Sequence, residues 1–308
     1  MSDADPIATM PVRPGVDARL EDPRTRVLAL CIGVVAVSTA AILARVADAP
    51  ALALAWWRTA MGALALVPFA VRARVMPGRR QRLLLAGSGL LLATHFTLWF
   101  ASLELTTVAA ASLLVSMSPI VVGAGAALLL REPPGRWTWV GLLLAVLGAV
   151  VIVADDVGGT SPRVLLGDAL ALAAAAAMAG YLLVGRYARR ALPVSVYATW
   201  TYGCAALALL IVGLATGTNL GIGRPYSVTT WLAIAGLVVG PQLLGHTVFN
   251  LVLGRVSATV VAVVIIAEPV GATVLAALLL AEAPTGLFYA GAPLVLAGIL
   301  LAVRSGRS

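Results

Sequence analysis

The chain has 308 residues, of which 61% are hydrophobic and only 11% charged, with a mean hydropathy of +1.02. A soluble domain carries about 25% charged residues, so the composition excludes a water-soluble globular protein and predicts one embedded in the lipid bilayer. The net charge of +8 would suggest nucleic-acid binding in a soluble protein. Here the basic residues lie in short segments between apolar runs, which argues against a nucleic-acid partner and is typical of membrane orientation.

Ten apolar runs follow a polar tail at residues 1–26 that lacks the apolar core of a signal peptide. Each run approaches the roughly 20 residues that a helix needs to cross a bilayer. We therefore predict an all-α integral membrane protein with ten transmembrane helices, called spans 1 to 10, and a short second tail at residues 304–308. The predicted spans are 27–47, 51–71, 83–102, 106–130, 137–154, 164–185, 194–215, 229–253, 257–281 and 286–303.

The arginines predict the orientation of these spans. If the amino terminus is cytoplasmic, nearly all of them fall on the cytoplasmic side, and only Arg45, Arg163 and Arg224 fall on the other side. This distribution follows the positive-inside rule and places both termini in the cytoplasm. Every basic residue is Arg and Ala is abundant, which indicates a GC-rich bacterial genome. The expected location is therefore the bacterial inner membrane.

The two halves of the chain share landmarks that indicate an internal duplication. We predict a first repeat of spans 1–5 at residues 27–155 and a second of spans 6–10 at residues 164–303, joined by a short turn-rich link at 155–162. Because each repeat has five spans, the second copy must be inverted in the membrane relative to the first. Pro119, Glu132, Pro134, Gly141 and Gly148 recur as Pro269, Glu282, Pro284, Gly291 and Gly298.

Several of these stretches resemble a known family. Residues 94–103, 115–119, 130–134, 266–270 and 281–284 are similar to the EamA-type repeat of the drug/metabolite transporter superfamily, and the resemblance covers residues 27–303. It implies two inverted five-helix repeats around a central cavity and, in many members, export of amino acids or related metabolites. It does not specify a substrate.

Arg58 is a charged residue inside span 2. An unpaired arginine inside the membrane costs about 2.5–3.5 kcal/mol on insertion scales, so this side chain must avoid lipid. It either snorkels outward or pairs with Asp168 as a structural clamp, or it faces a cavity and binds a substrate carboxylate or phosphate.

Glu268 lies near the middle of span 9, directly before Pro269. Pro269 and its counterpart Pro119 are predicted hinges, because proline removes a backbone hydrogen bond. Glu268 either binds a proton or the ammonium group of a substrate, or it forms a hydrogen bond that only ties helices together. The partners available for such a bond are His95, His246 and Asn250.

Span 8 carries the clearest polar pattern, with Gln242, His246 and Asn250 spaced i, i+4, i+8 along one helical face. Such a face is typical of a surface that contacts water or substrate, although polar residues also join helices. The other substrate-binding candidates are His95 and Trp99 in span 3, Ser116 in span 4 and Tyr181 in span 6.

These features predict a secondary transporter that exports small metabolites, such as amino acids or related amphipathic compounds, by alternating access, with proton coupling left open. The alternatives are a membrane-embedded enzyme and a non-transporting membrane subunit, and we expect no enzymatic activity. No cofactor or metal site is expected, because two histidines without suitably spaced Cys or Asp/Glu seldom bind a metal. The chain has no Lys and so no P-loop. The sequence does not indicate an oligomeric state.

Overall fold

The computed structural model describes residues 20, 22–106, 108–154, 161–223, 225–280 and 286–305. In this part of the chain every regular element is a helix, and the helices form ten spans. The predicted all-α membrane fold is confirmed. Nine helical stretches in the described residues are long and apolar enough to cross a membrane. The shorter one, Arg136–Val153, has 18 residues and at 1.5 Å per residue nearly matches a hydrocarbon core of about 30 Å.

The spans begin and end within a few residues of the predicted runs, but four of them are interrupted. Span 1 is Pro23–Ser38 and Ala40–Val46, span 2 Ala51–Ala73, span 3 Arg79–Leu103, span 4 Val108–Val115, Ser118–Gly125 and the π-helical Ala126–Leu130, and span 5 Arg136–Val153. Span 6 is Pro162–Arg189, span 7 Val194–Ala215, span 8 Val228–Leu237, the π-helical Val238–His246 and Thr247–Leu253, span 9 Ala258–Ile265 and Glu268–Leu280, and span 10 Gly286–Ser305.

Some sequence predictions fall outside the described residues. They are residues 1–19 and 21 of the polar tail, residues 155–160 of the link, Arg224, the repeat landmarks Glu282 and Pro284, and residues 306–308.

Prolines explain the breaks in spans 4 and 9. In a continuous α-helix the N–H of residue 119 would bond the carbonyl of Val115, and that of residue 269 would bond the carbonyl of Ile265, but proline has no N–H. The first helical segments end at Val115 and Ile265. The two halves therefore break their fourth span at equivalent positions.

A proline also interrupts the α-helix of span 8, but there the chain continues as a π-helix. Pro241 cannot bond the carbonyl of Leu237, and the α-helix gives way after Leu237 to nine residues of π-helix. A π-helical segment accommodates such a defect because its bonds run from i to i+5, and such segments are frequent at functional sites.

Equivalent spans of the two halves make equivalent contacts. Span 3 packs along span 6, and its equivalent, span 8, packs along span 1. Spans 2 and 7 pack on each other, as do spans 5 and 10. This arrangement is the two-repeat architecture that the duplicated landmarks predict.

The four landmark glycines form the contact between spans 5 and 10. A methyl group added to Gly141, Gly148, Gly291 or Gly298 would lie within 2.6 Å of a backbone atom of the facing helix. Gly141 faces Gly298, and Gly148 faces Gly291. The glycines recur in both halves because they allow two equivalent helices to approach backbone to backbone.

An ion-pair network connects the loop after span 4 to the end of span 6. Glu132 lies between Arg186 Nη2 at 2.8 Å and Arg190 Nη2 at 2.6 Å. Arg186 Nε also contacts both carboxylate oxygens, at 3.2 and 3.1 Å, and Arg186 Nη1 donates to the carbonyl of Leu253 at 2.8 Å. The network therefore joins the first repeat to two spans of the second.

We expect Gly148→Ala to lower the thermal unfolding midpoint in mild detergent, with a cost of about 1–3 kcal/mol typical of overpacking. The reason is that its methyl group would lie 2.6 Å from the backbone nitrogen of Val295. Gly203→Ala is the matched control, because no atom lies within 4 Å of its added methyl group. Equal midpoints for the two variants would contradict the assigned contact.

The Glu132 network should make stability dependent on pH. Burial raises the pKa of Glu132, but the hydrogen bonds and charges of Arg186 and Arg190 outweigh burial and hold the pKa below its usual value of 4.5. A carboxyl group with a depressed pKa stabilises the folded state above about pH 4.5. This stabilisation is lost as the pH falls through the pKa of the folded state. The unfolding midpoint should therefore fall more steeply below pH 4.5 in the wild type than in Glu132→Gln. Parallel pH profiles would contradict this assignment.

Candidate functional site

A small cavity lies midway along the spans, beside the proline breaks. Its volume is about 40 Å³, enough for a few water molecules, so the surrounding helices close tightly around it. Its wall includes six of the predicted substrate-binding residues and one predicted hinge: Arg58, His95, Trp99, Ser116, His246, Glu268 and Pro269.

Arg58 is held by an amide and not by an acid. It is 1% exposed, and its Nε donates to Oε1 of Gln242 at 2.9 Å. Its guanidinium carbon lies 4.1 Å from the centre of the Phe96 ring, a cation–π contact. Nη2 has no hydrogen-bond partner among the described residues. The alternative that Arg58 pairs with Asp168 is not found among the described residues, where Asp168 Oδ1 is buried without a partner.

Glu268 begins the second helical segment of span 9. The amino-terminal end of a helix carries a partial positive charge, which favours a carboxylate there. Ser38 donates to the backbone carbonyl of Glu268 at 3.2 Å. Within the described residues the carboxylate accepts no hydrogen bond and forms no ion pair with Arg58. The alternative that it bonds His95, His246 or Asn250 is therefore not found.

Both histidines contact the ring of Phe96. A ring nitrogen of His95 lies 3.0 Å from the carbonyl of Ala174, and the His95 ring is nearly parallel to that of Trp99. His246 meets Phe96 edge-on, with ring centres 5.3 Å apart, and has no hydrogen bond among the described residues. His95 is thus fixed by the backbone, whereas the His246 nitrogens remain available to a ligand.

Three predicted site residues lie beside the cavity and not in its wall. Gln242 is fully buried against Arg58. Asn250 Nδ2 donates to the hydroxyl groups of Tyr181 and Tyr202, and Tyr202 also bonds Thr247 at 3.1 Å. These last four residues form a polar layer between the cavity and the predicted cytoplasmic end. Gln242, Tyr181 and Asn250 therefore support the site but do not contact its interior in this conformation.

The two predicted hinges differ in their relation to the cavity. Pro269 lies in the wall, whereas Pro119 lies outside it. Phe96 is one of several wall residues that the sequence did not single out, and it contacts Arg58 and both histidines. Its only signal in the sequence is its position directly after His95.

Two inverted halves of five spans enclose a cavity at broken helices, and this cavity is lined by both a cation, Arg58, and an acid, Glu268. This architecture is that of a membrane transporter. The chain belongs to the EamA-like transporter family, whose family model matches residues 24–154 and again residues 165–304.

The fold is shared with solved structures. One, described only as the crystal structure of a protein, superposes with a TM-score of 0.75 over 93% of this chain and 99% of its own, at 22% identity. That similarity shows the fold alone. No curated protein matches the sequence significantly.

We expect Gln242→Leu to destabilise the protein by about 1–3 kcal/mol, because it leaves the buried Arg58 Nε without an acceptor. In Arg58→Met/Gln242→Leu both polar groups are removed, so the double variant should lose less stability than the two single variants summed. The measurement is denaturant unfolding in detergent for all four proteins of the cycle. Additive losses would show that the two side chains are not coupled.

Proposed function

We propose that this protein is a secondary transporter of the bacterial inner membrane that exports amino acids or related amphipathic metabolites by alternating access, with proton binding at Glu268. The observation that carries the proposal is that Arg58 and Glu268 line one small cavity without pairing to each other.

A zwitterionic substrate complements this pair of charges. Its carboxylate would receive hydrogen bonds from the Arg58 guanidinium, and its ammonium group would lie against the Glu268 carboxylate. Charged groups in a poorly solvated cavity are costly unless compensated, and the substrate supplies both compensating charges. The rings of Trp99 and Phe96 give the cavity apolar surface for a side chain.

Alternating access explains why the cavity is closed. A volume of about 40 Å³ is too small for an amino acid, so substrate can enter only after the helices move apart. The broken segments of spans 4 and 9 provide the places where the helices can bend, and they occupy equivalent positions in the inverted halves.

Proton coupling follows from competition at Glu268. A proton and a substrate ammonium group cannot both neutralise one carboxylate, so binding of one should displace the other. The competition would exchange an outgoing substrate for an incoming proton.

The proposal is tested by counterflow of radiolabelled amino acids into proteoliposomes of the purified protein. We expect the wild type to prefer an amino acid over its N-acetyl analogue, which lacks the ammonium group, by about tenfold or more, the value of one charge-assisted hydrogen bond. Glu268→Gln should lose this preference and its pH dependence. Arg58→Gln should instead lose the preference for an amino acid over its methyl ester.

Glu104→Gln is the matched control for Glu268→Gln, because Glu104 is exposed at the end of span 3, away from the cavity. It should keep the wild-type preference and pH profile. Transport by Glu268→Gln with unchanged selectivity and proton dependence would overturn the assigned role of Glu268. Absence of counterflow across a broad panel of amino acids would overturn the substrate class.

A further inference from the structure

A second cavity, which we call the lateral cavity, lies between spans 2 and 7 at their predicted cytoplasmic ends. It has a volume of about 530 Å³ and shares no wall residue with the central cavity. Span 2 contributes the face of Val67, Ala70 and Arg74, about 10 Å long, and span 7 contributes Trp200. Val71, also in the wall, is 69% exposed, so the cavity opens on the outer surface of the bundle. A mostly apolar wall around such a volume is typical of a ligand pocket.

The inverted repeat provides an equivalent place at the opposite ends of the same two spans. Both spans begin directly after a proline, and Trp57 and Trp200 occupy the same position in them. Arg74 and Gly217, at the ends of these spans, are equivalent as well, and both have a left-handed backbone, with φ of 51° and 65°. The end of span 7 beside Trp57 therefore corresponds to the end of span 2 beside Trp200.

At that equivalent place the chain itself fills the space. Trp57 Nε1 donates to the carbonyl of Leu220 at 2.8 Å, and Leu220 is only 4% exposed. The Leu220 side chain would lie 3.0 Å from a methyl group added to Gly213, the counterpart of Ala70. A single residue thus offers an apolar chain to the helix and a hydrogen-bond acceptor to the tryptophan.

No described residue does the same beside Trp200. The segment after span 7 runs from residue 216 to 227, whereas spans 2 and 3 are joined only by residues 74–78. Trp200 makes no hydrogen bond with any described residue. The lateral cavity therefore suits a ligand that brings the apolar chain and the acceptor that Leu220 supplies at the other end.

Arg74 adds a charge that its counterpart Gly217 lacks. It is exposed, and its side chain forms no ion pair or hydrogen bond with a described residue. The described acids on this side are Asp22, which caps span 1, and Glu132, which is bound by two arginines at the end of span 6. The same side carries four more exposed arginines close to Arg74 in sequence: Arg72, Arg79, Arg80 and Arg82. Basic residues beside a cavity between spans favour an anionic lipid headgroup.

From this geometry we propose that the lateral cavity binds one anionic phospholipid of the predicted cytoplasmic leaflet. Its phosphate contacts Arg74, an ester carbonyl accepts from Trp200 Nε1, and an acyl chain lies against Ala70 and Val67. The phosphate, ester and acyl chain of a phospholipid follow one another from the membrane surface inward. Arg74, Trp200 and Val67 line the cavity in the same order of depth. This site does not depend on the substrate proposed for the central cavity.

The test is binding of single lipids to full-length purified protein in neutral detergent, measured by native mass spectrometry. The probes are dioleoylphosphatidylglycerol, which is anionic, and dioleoylphosphatidylcholine, which has the same acyl chains and no net charge. The wild type should bind its first phosphatidylglycerol about fivefold more tightly than its first phosphatidylcholine. This ratio is the value expected for one arginine near an anionic headgroup.

Arg74→Gln should reduce the preference for phosphatidylglycerol to less than about twofold, because it removes the charge that selects the headgroup. Arg80→Gln is the matched control, since Arg80 is also exposed on this side but lies outside the cavity wall. It should keep the wild-type preference to within about twofold.

Ala70→Leu tests the acyl chain, because it places in the lateral cavity a side chain like that of Leu220 in the equivalent place. It should weaken binding of both lipids by about fivefold or more. Ala65→Leu, on an exposed part of span 2 outside the wall, should change neither affinity by more than about twofold. Trp200→Phe should weaken binding of both lipids by about two- to tenfold through loss of one hydrogen bond. Unfolding midpoints in detergent show whether each variant is folded, and the exposed Arg74→Gln keeps the proposal falsifiable if Ala70→Leu is not.

The proposal is supported if the preference for phosphatidylglycerol falls in Arg74→Gln and both lipids bind more weakly to Ala70→Leu. It is overturned if the wild type binds the two lipids equally, or if both variants bind like the wild type. A stable dimer that Ala70→Leu dissociates would also overturn it, because a second copy of this chain would then occupy the cavity. The assay measures lipid binding and not flux, so its failure is distinguishable from failure of the transport proposal.

Discussion

The structure depends on the inability of proline to donate a backbone hydrogen bond. Inside a bilayer no water replaces a missing bond, so a proline within a span can force a local rearrangement of the helix. Pro68 and Pro293 lie inside uninterrupted helices, so the rearrangement is specific to certain positions. It occurs at Pro119, Pro241 and Pro269, and the α-helical segment before each one ends four residues earlier. The breaks lie at similar depths in spans 4, 8 and 9, and the central cavity lies beside them. Backbone chemistry thus decides where the bundle can hold polar groups.

The two halves share a backbone plan but carry different charges on it. In the first half Ser118 precedes the proline of the broken span, and in the second half Glu268 takes its place. Likewise Trp57 is followed by Arg58, whereas its counterpart Trp200 is followed by Thr201. The duplication supplies a scaffold with two equivalent halves, and these departures from symmetry supply the cation and the acid of the cavity. A site built only from repeated residues would carry the same charge twice.

The sequence predicts the fold far better than the contacts of the site. Apolar run length and the positions of Pro119 and Pro269 are local properties, and they were enough for the ten spans and for the breaks in spans 4 and 9. The π-helix at Pro241 was not predicted. The partner of Arg58 is not local, because Gln242 lies 184 residues away. The π-helix also changes the direction in which Gln242 and His246 point, so a face calculated with α-helical periodicity does not hold across span 8. Six of the nine predicted substrate-binding residues line the cavity. Polar residues inside the membrane avoid lipid and face the interior of the bundle or a cavity.

The short helix Thr247–Leu253 connects the central cavity to the predicted cytoplasmic surface. Its first residue bonds Tyr202, and Asn250 bonds Tyr181 and Tyr202 in the layer beneath the cavity. The backbone carbonyl of Asn250 accepts from Arg189 Nε at 2.9 Å, and that of Leu253 accepts from Arg186, which also binds Glu132.

A helix of about two turns therefore carries both the floor of the cavity and the contacts of the ion-pair network. In the proposed alternating access, opening the cavity toward this side would separate the polar layer and move the carbonyls of Asn250 and Leu253, to which Arg189 and Arg186 are bound. The polar layer beneath the closed cavity and the Glu132 network are consequently connected through the same short helix. Under that proposal, a change in the charge around Arg186 would alter the free energy of opening the cavity, although Glu132 and Arg186 lie outside the wall of the central cavity.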